Sequence, residues 1–151
     1  MVPRGVGTGL FGGANTGADS VLLDLSRMNR ILDLDPHEQI AVFEPGVITA
    51  VLDRAAGEFG MRYAPDPANA AISTVGGNIA TNAGGLRCAK YGMTRDTVLG
   101  LDVVLADGTA IRTGRRTVKG VTGYDLTALL TGSEGTLGVI TAASVRMRPV
   151  P

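Results

Sequence analysis

The stretch PRGVGTGLFGGAN, residues 3–15, restricts the fold more than any other part of the chain. Five of the nine residues from Gly5 to Gly13 are glycine, and Leu10 is the one good helix former among them. A segment so bare of side chains neither fills a core nor starts a helix, so it is a loop that either holds something or lies tight against a neighbour. Without Cβ atoms, its backbone N–H groups are free to converge on an anion and to take positive φ where a bend requires it. Thr8 adds a hydroxyl donor and Arg4 a charge. Packing under another segment would need one or two glycines rather than five. A second cluster, Gly76-Gly77 and Gly84-Gly85, points to one extended ligand that passes close to the backbone at two places.

Gly7 to Gly12 also satisfies G-x-G-x-x-G, the dinucleotide fingerprint. That motif requires a strand before the loop and a helix starting at its end, so that the pyrophosphate sits on the helix N-terminus. Here only Met1 and Val2 precede Pro3, and the loop runs on into GANTGADS, among the least helical octets in the chain. A nicotinamide-binding Rossmann fold is therefore a minor alternative, which a preference for NAD over FAD would revive.

The whole chain has 151 residues, the length of one ordinary domain. Its 44% hydrophobic and 19% charged residues favour a folded globule over disorder. With no Trp, three Tyr and three Phe, the core has to be built from Val, Leu, Ile and Ala. Fourteen basic and fourteen acidic residues cancel, which argues against a general attraction to nucleic acid or to an anionic membrane. The lone Cys88 excludes an intrachain disulfide and suits a reducing compartment. No signal segment or apolar run of membrane-spanning length is visible, so the expectation is a soluble, cytoplasmic domain without membrane insertion.

Periodicity predicts short strands at VLLDL (21–25), ILDLD (31–35), QIAVFEPG (39–46) and MRYAP (61–65). It predicts a helix capped by Thr49, with Val51, Leu52, Ala55, Ala56 and Phe59 on its buried face and Gly60 at its end. Within STVGGNIATNAGG (73–85) only Val75 to Ala80 reads as helix. VLGLDVVLADGTAIRT (98–113) is a hairpin turning at Ala106-Asp107-Gly108. GRRTVKGVTG (114–123) is a polar loop, YDLTALLTG (124–132) two helical turns, and 135–150 extended. Many short strands, few short helices and several glycine loops indicate α+β.

In family order, PRGVGTGLFGGA (3–14), PGVITAVL (45–52), APDPANAAISTVGGNIATNAGGLRCAKYG (64–92), VLGLDVVLADG (98–108) and KGVTGYDLTALLTGSEGTLGVIT (119–141) resemble one family. It is the PCMH-type, vanillyl-alcohol-oxidase-like FAD-binding domain of FAD-linked 2-hydroxyacid oxidases and dehydrogenases. Members include the glycolate oxidase flavin subunit and the D-lactate and D-2-hydroxyglutarate dehydrogenases. The resemblance covers essentially the whole chain and implies FAD. It implies that Arg4, Gly5, Val6, Gly7, Thr8 and Gly9 line the pyrophosphate, largely through backbone. Thr74, Gly77, Asn78, Thr81 and Gly84 would lie along phosphate, ribityl or isoalloxazine, with Pro67 beginning that approach and Tyr91-Gly92 following it. Glu134, Val139 and Ile140 match the element that approaches the adenosine end.

Taken singly, these residues have plainer readings as well. Asn78 and Asn82 read as turn caps, Thr74 and Thr81 as helix-edge residues, Glu134 as a solvated charge, and Tyr91 as a core aromatic. Cys88 reads as a small buried thiol and His37 as part of an exposed turn. The opening loop has no histidine where covalently flavinylated relatives carry theirs, so FAD is expected to be noncovalent. Arg112, Arg115, Arg116 and Lys119 read as a solvated basic loop, with no nucleic-acid partner. No metal ligands and no catalytic base are identifiable.

Relatives place a small α/β subdomain before the PRG loop and a substrate-binding cap domain after the RPVP-like end. Residues 1–151 are thus expected to be a partial FAD-binding domain without a cap. Completed by a cap, it would oxidise a 2-hydroxy acid such as glycolate or D-lactate to the 2-oxo acid. A partner subunit or electron acceptor would take the electrons. The alternative is a noncatalytic fragment, or an FAD-binding module dependent on a partner chain.

Overall fold

A computed structural model of the chain describes residues 1–115, 117 and 121–151. Its elements are β1 (Val2–Arg4), β2 (Leu22–Asp24), β3 (Ile31–Asp35), β4 (Ile40–Phe43), α1 (Thr49–Gly57), β5 (Met61–Arg62), α2 (Val75–Thr81), α3 (Cys88–Tyr91), α4 (Thr94–Thr97), β6 (Val98–Val104), β7 (Ala110–Gly114), α5 (Leu126–Leu130), β8 (Val139–Arg146) and β9 (Arg148–Pro149). The arrangement is α+β, as expected. Of the predicted basic run, Arg116 and Lys119 lie outside the described residues. Arg112 is spent on a cross-strand pair with Asp102, Nε to Oδ1 at 2.6 Å and a terminal nitrogen to Oδ2 at 3.0 Å.

Five strands form an antiparallel sheet in the order β3-β4-β8-β6-β7. Alternation assigns its faces, because successive strand residues point to opposite sides. Ala41 and Phe43, Leu101 and Val103, and Ala143 and Val145 are buried with Leu52, Ala56, Val75, Ile79 and Leu130 of the helices. Asp102, Arg112, Ala142 and Ser144 belong to the opposite, more open face. The hairpin forms as predicted. Leu105 N–H donates to Thr109 O at 2.9 Å and Gly108 N–H to Leu105 O at 3.0 Å, with Gly108 at φ +86°. Two smaller ribbons flank the sheet, parallel β1–β2 and antiparallel β5–β9.

The first helix departs from expectation. Ile48, not Thr49, is its cap residue, without a side-chain cap bond, and the helix ends at Gly57 before Phe59. Its buried stripe is Thr49, Leu52 and Ala56; Val51 and Phe59 are exposed. A short helix that meets the core along one side buries one narrow i, i+3/i+4 row, and the Thr49 hydroxyl is drawn inward by polar partners. Two short helices, α3 and α4, have no counterpart in the sequence periodicity. MRYAP contributes strand only at Met61 and Arg62, whereas Tyr63 and Ala64 are core residues. No helix among the described residues is long and apolar enough to cross a membrane.

The turn entering the sheet is fixed by an ion pair. Glu44 accepts from the Arg30 amide at 2.9 Å and from the Arg30 guanidinium at 2.7 and 3.2 Å. Hydrogen bonding from the Arg30 side chain, and then from its amide, holds the Glu44 carboxyl below its ordinary value of 4.5. A folded-state value below the unfolded one means that the stabilisation is present above the unfolded value and is lost as pH falls through the depressed one. Glu44→Gln is therefore expected to melt below the parent at neutral pH and to converge with it as the carboxyl protonates. Thermal melts across an acid series test this; a gap independent of pH would contradict it.

Candidate functional site

The glycine-rich loop is pinned at both ends, and its first stretch is unbonded. Parallel pairing sets Val2 against Leu22 and Arg4 against Asp24, while Val2 N–H donates to Val21 O and Leu25 N–H to Arg4 O, both at 2.8 Å. Between these clamps, the seven amides of Gly5 through Phe11 donate no hydrogen bond to any described residue. Unpaired backbone donors are rare unless water or a ligand meets them. Gly7, at φ +72°, folds the loop back over Arg4. A Cβ there would lie 2.9 Å from the Arg4 guanidinium, so the charge sits directly under the bend. Asp24 is held below the usual carboxylate range mainly by hydrogen bonds from Ser26, with the Arg4 charge a smaller contribution.

The glycines sort by what a Cβ would meet. At Gly5 it would lie 2.5 Å from the Thr74 hydroxyl, and at Gly76 it would run into Pro45, so these two serve close packing. At Gly9 it would meet nothing within 4 Å at an ordinary φ. The protein itself does not require glycine at that position; a ligand approaching the backbone would.

The second glycine segment forms the opposite wall through α2, and its donors are already committed. Val75 N–H donates to Val47 O at 2.8 Å, Gly76 N–H to Pro45 O at 2.9 Å, and Gly77 N–H to the capping Thr74 hydroxyl at 3.2 Å. This wall offers side chains and shape rather than amide donors. The far edge is stitched on by Gly132 N–H to Ile79 O at 2.9 Å and Glu134 N–H to Ala80 O at 2.8 Å. Glu134, at φ +53°, projects a carboxylate to within 2.9 Å of where a Gly13 Cβ would stand, and it forms no ion pair among the described residues.

Together these walls enclose a cleft of about 170 Å³. That is smaller than the roughly 300–1,000 Å³ of a pocket that envelops its ligand, so this is an open cradle. Arg4, Gly5, Val6, Gly7, Thr8, Gly9, Thr74, Gly77, Asn78, Thr81, Glu134 and Ile140 all line it. Pro67, Gly84, Tyr91, Gly92 and Val139 do not. Pro67 is buried and accepts from Ala70 N–H at 2.9 Å. Gly84 neighbours Met93 and Cys88, and Gly92 occupies a bend at φ +84° against Asp96. Tyr91 is half-buried, with Lys90 Nζ 5.0 Å from its ring.

The plainer reading holds for Asn82. It ends α2 at φ +48° and accepts from Arg95 N–H at 2.9 Å. Cys88 is half-buried, and its sulfur accepts from Gly85 N–H at 3.0 Å, while His37 lies in an exposed turn. Sequence reasoning missed Pro45, Asn69 and Ser73 as lining residues. Their one signal was the Pro45-Gly46 turn, which reads as no more than the end of a strand.

A donor-rich loop over a guanidinium, facing a side-chain wall, fits an anionic, elongated ligand with a diphosphate. The comparisons agree with that chemistry. The chain is 52% identical over 151 residues to glycolate oxidase subunit GlcD of Bacillus subtilis (strain 168), covering all of this chain and 32% of that protein. It is 47% identical over 146 residues to a D-lactate dehydrogenase of Archaeoglobus fulgidus, covering 97% of this chain and 32% of that one. The chain thus spans about a third of the length of these curated relatives. Among solved structures, an alkyldihydroxyacetonephosphate synthase superposes with a TM-score of 0.84 at 30% identity, over 99% of this chain and 29% of that one. Residues 1–114 match the family described as FAD binding domain. With most of its length inside that match and a cleft suited to the cofactor, the chain belongs to the FAD binding domain family, and its cofactor is FAD.

Proposed function

We propose that the cleft holds FAD noncovalently, as the cofactor-binding part of a flavoprotein that oxidises a small 2-hydroxy acid to the 2-oxo acid. The observation that carries this reading is the run of seven amides from Gly5 to Phe11 that donate to no described residue, with Gly7 bent over the Arg4 guanidinium. These groups hold the diphosphate, and Thr74, Asn78 and Thr81 border the rest of the cofactor. When bound, FAD supplies the two-electron acceptor, while the protein binds, orients and sets the electrostatics. Among the described residues lining the cleft there is no His, Cys or Tyr, which supports noncovalent attachment, and Glu134 is the sole carboxylate among those described residues. The groups that bind the substrate carboxylate and remove its α-proton are therefore proposed to lie outside these 151 residues. Glycolate and D-lactate are the substrates favoured by the names of the relatives. A lone cysteine supports a reducing, cytoplasmic setting.

A second reading has its own observation. Phe11, which lines the cleft, and its neighbour Leu10 are 84% and 97% exposed, which suits a module that is completed by another polypeptide surface. The test is direct. The purified chain is titrated with FAD and followed by visible absorption and by cofactor release on denaturation. The proposal expects a yellow protein that releases intact FAD. A folded, colourless chain that ignores added FAD would overturn binding by these residues alone, and colour gained on adding a partner polypeptide would establish the second reading.

A further inference from the structure

Beneath the cleft, Thr49, Ser73 and Asn78 form a buried polar cluster, each no more than 4% exposed. The Thr49 hydroxyl lies 3.1 Å from Ser73 O, 3.1 Å from Ser73 Oγ and 2.7 Å from Asn78 Nδ2. A hydroxyl has one proton, and a carbonyl oxygen can only accept. With the Thr49 proton on Ser73 O, its lone pair is what Asn78 meets, so the end of the amide facing Thr49 is the NH₂. The reverse orientation would draw that proton towards Asn78, leave Ser73 O with the Thr49 N–H at 2.9 Å alone, and turn the NH₂ away from the Thr49 hydroxyl, the one acceptor it meets among the described residues. Asn78 Oδ1 accepts no hydrogen bond from any described residue, and Asn78 lines the cleft.

We infer that Thr49 is a positioning residue which fixes the Asn78 amide so that the cleft presents a carbonyl oxygen there, and that this point takes a hydrogen-bond donor of the cofactor. The inference rests on the FAD reading above and deepens it. The glycine loop takes the anionic part of the ligand, whereas Asn78 takes an N–H or O–H. In the flavin half of FAD two groups have that chemistry, the ring imide N–H and the ribityl hydroxyls.

The experiment titrates the parent chain, Thr49→Val and Thr49→Ser with three probes: FAD, FAD methylated at the imide nitrogen, and FAD with a deoxygenated ribityl chain. Circular dichroism verifies folding. Thr49→Val removes the lone pair that orients the amide and is expected to weaken FAD binding about tenfold. Thr49→Ser keeps the hydroxyl and is expected to bind within about twofold of the parent. The Thr49→Val penalty should vanish for the analogue that lacks the matching donor, and that analogue identifies the source. If Thr49→Val does not fold, Asn78→Ala replaces it and must show the same loss with FAD and none with that analogue. An equal penalty for all three probes, or FAD binding by Thr49→Val as tight as by the parent, overturns the inference and leaves the FAD reading intact. A parent chain that takes up no FAD overturns both.

Discussion

Gly46→Ala is expected to lower the thermal midpoint by about 10 °C, equivalent to about 3 kcal/mol for a chain of this size. A Cβ at Gly46 would stand 2.5 Å from Leu25 O, 2.7 Å from Met28 O and 2.9 Å from Ser26 O. All three are backbone atoms, so no side-chain rotation relieves the clash. The same glycine donates its N–H to Met28 O at 2.7 Å, and Leu25 is tied to β1 through Arg4 O. Displacing this turn therefore loosens both the end of the sheet and the anchor of the glycine loop. Gly57→Ala is the matched control. It lies in the last turn of α1, with nothing within 4 Å of where its Cβ would stand, and should stabilise by roughly 0.5–1 kcal/mol through helix propensity. Calorimetry on the two variants checks the pair; equal midpoints would show that the loop at 25–28 yields freely.

Gly9→Asp is expected to weaken FAD binding about a hundredfold while leaving the melting temperature of the cofactor-free chain unchanged. The position has open space around it and ordinary φ, so the fold tolerates a side chain. A carboxylate there would compete for the free amides and repel the diphosphate, and like-charge contact at a binding surface costs several kcal/mol. Gly9→Ala adds bulk without charge and separates the two effects. A Gly9→Asp chain that binds FAD like the parent would remove the loop from the site.

The sheet was legible in the sequence wherever alternation was strong. The 98–113 hairpin follows from two apolar runs about a DG turn, β3 from alternating leucines and aspartates, and β4 and β8 from stretches rich in Val and Ile. The first helix was legible in position but not in face, because Val51 and Phe59 extend the apolar pattern beyond the narrow row that the sheet covers. The α3 and α4 turns were hidden because Gly85 and Gly92 break every periodic window around them. For the site, the glycine loop advertised itself through composition. The opposite wall was legible through its own glycines, whereas Pro45 joins it only through the hydrogen bond from Gly76 N–H, a tertiary contact that no local spacing encodes. Family motifs carried residues such as Pro67 and Tyr91 into the expected site, yet each is occupied with local structure away from the cleft.

The order β3-β4-β8-β6-β7 has a consequence for biosynthesis. The strand at the middle of the sheet is the last of its five to be translated. Until Val139–Arg146 leaves the ribosome, β4 and β6 have no common partner, and each offers an open edge of unpaired backbone groups. Synthesis proceeds at roughly 5–20 residues per second, so a nascent chain exposes those edges for several seconds. The candidate cleft is finished no earlier, because Ile140 on that strand closes one of its walls. Ligand capture there therefore follows translation of β8, and protection of the two waiting edges before then falls to chaperones or to speed.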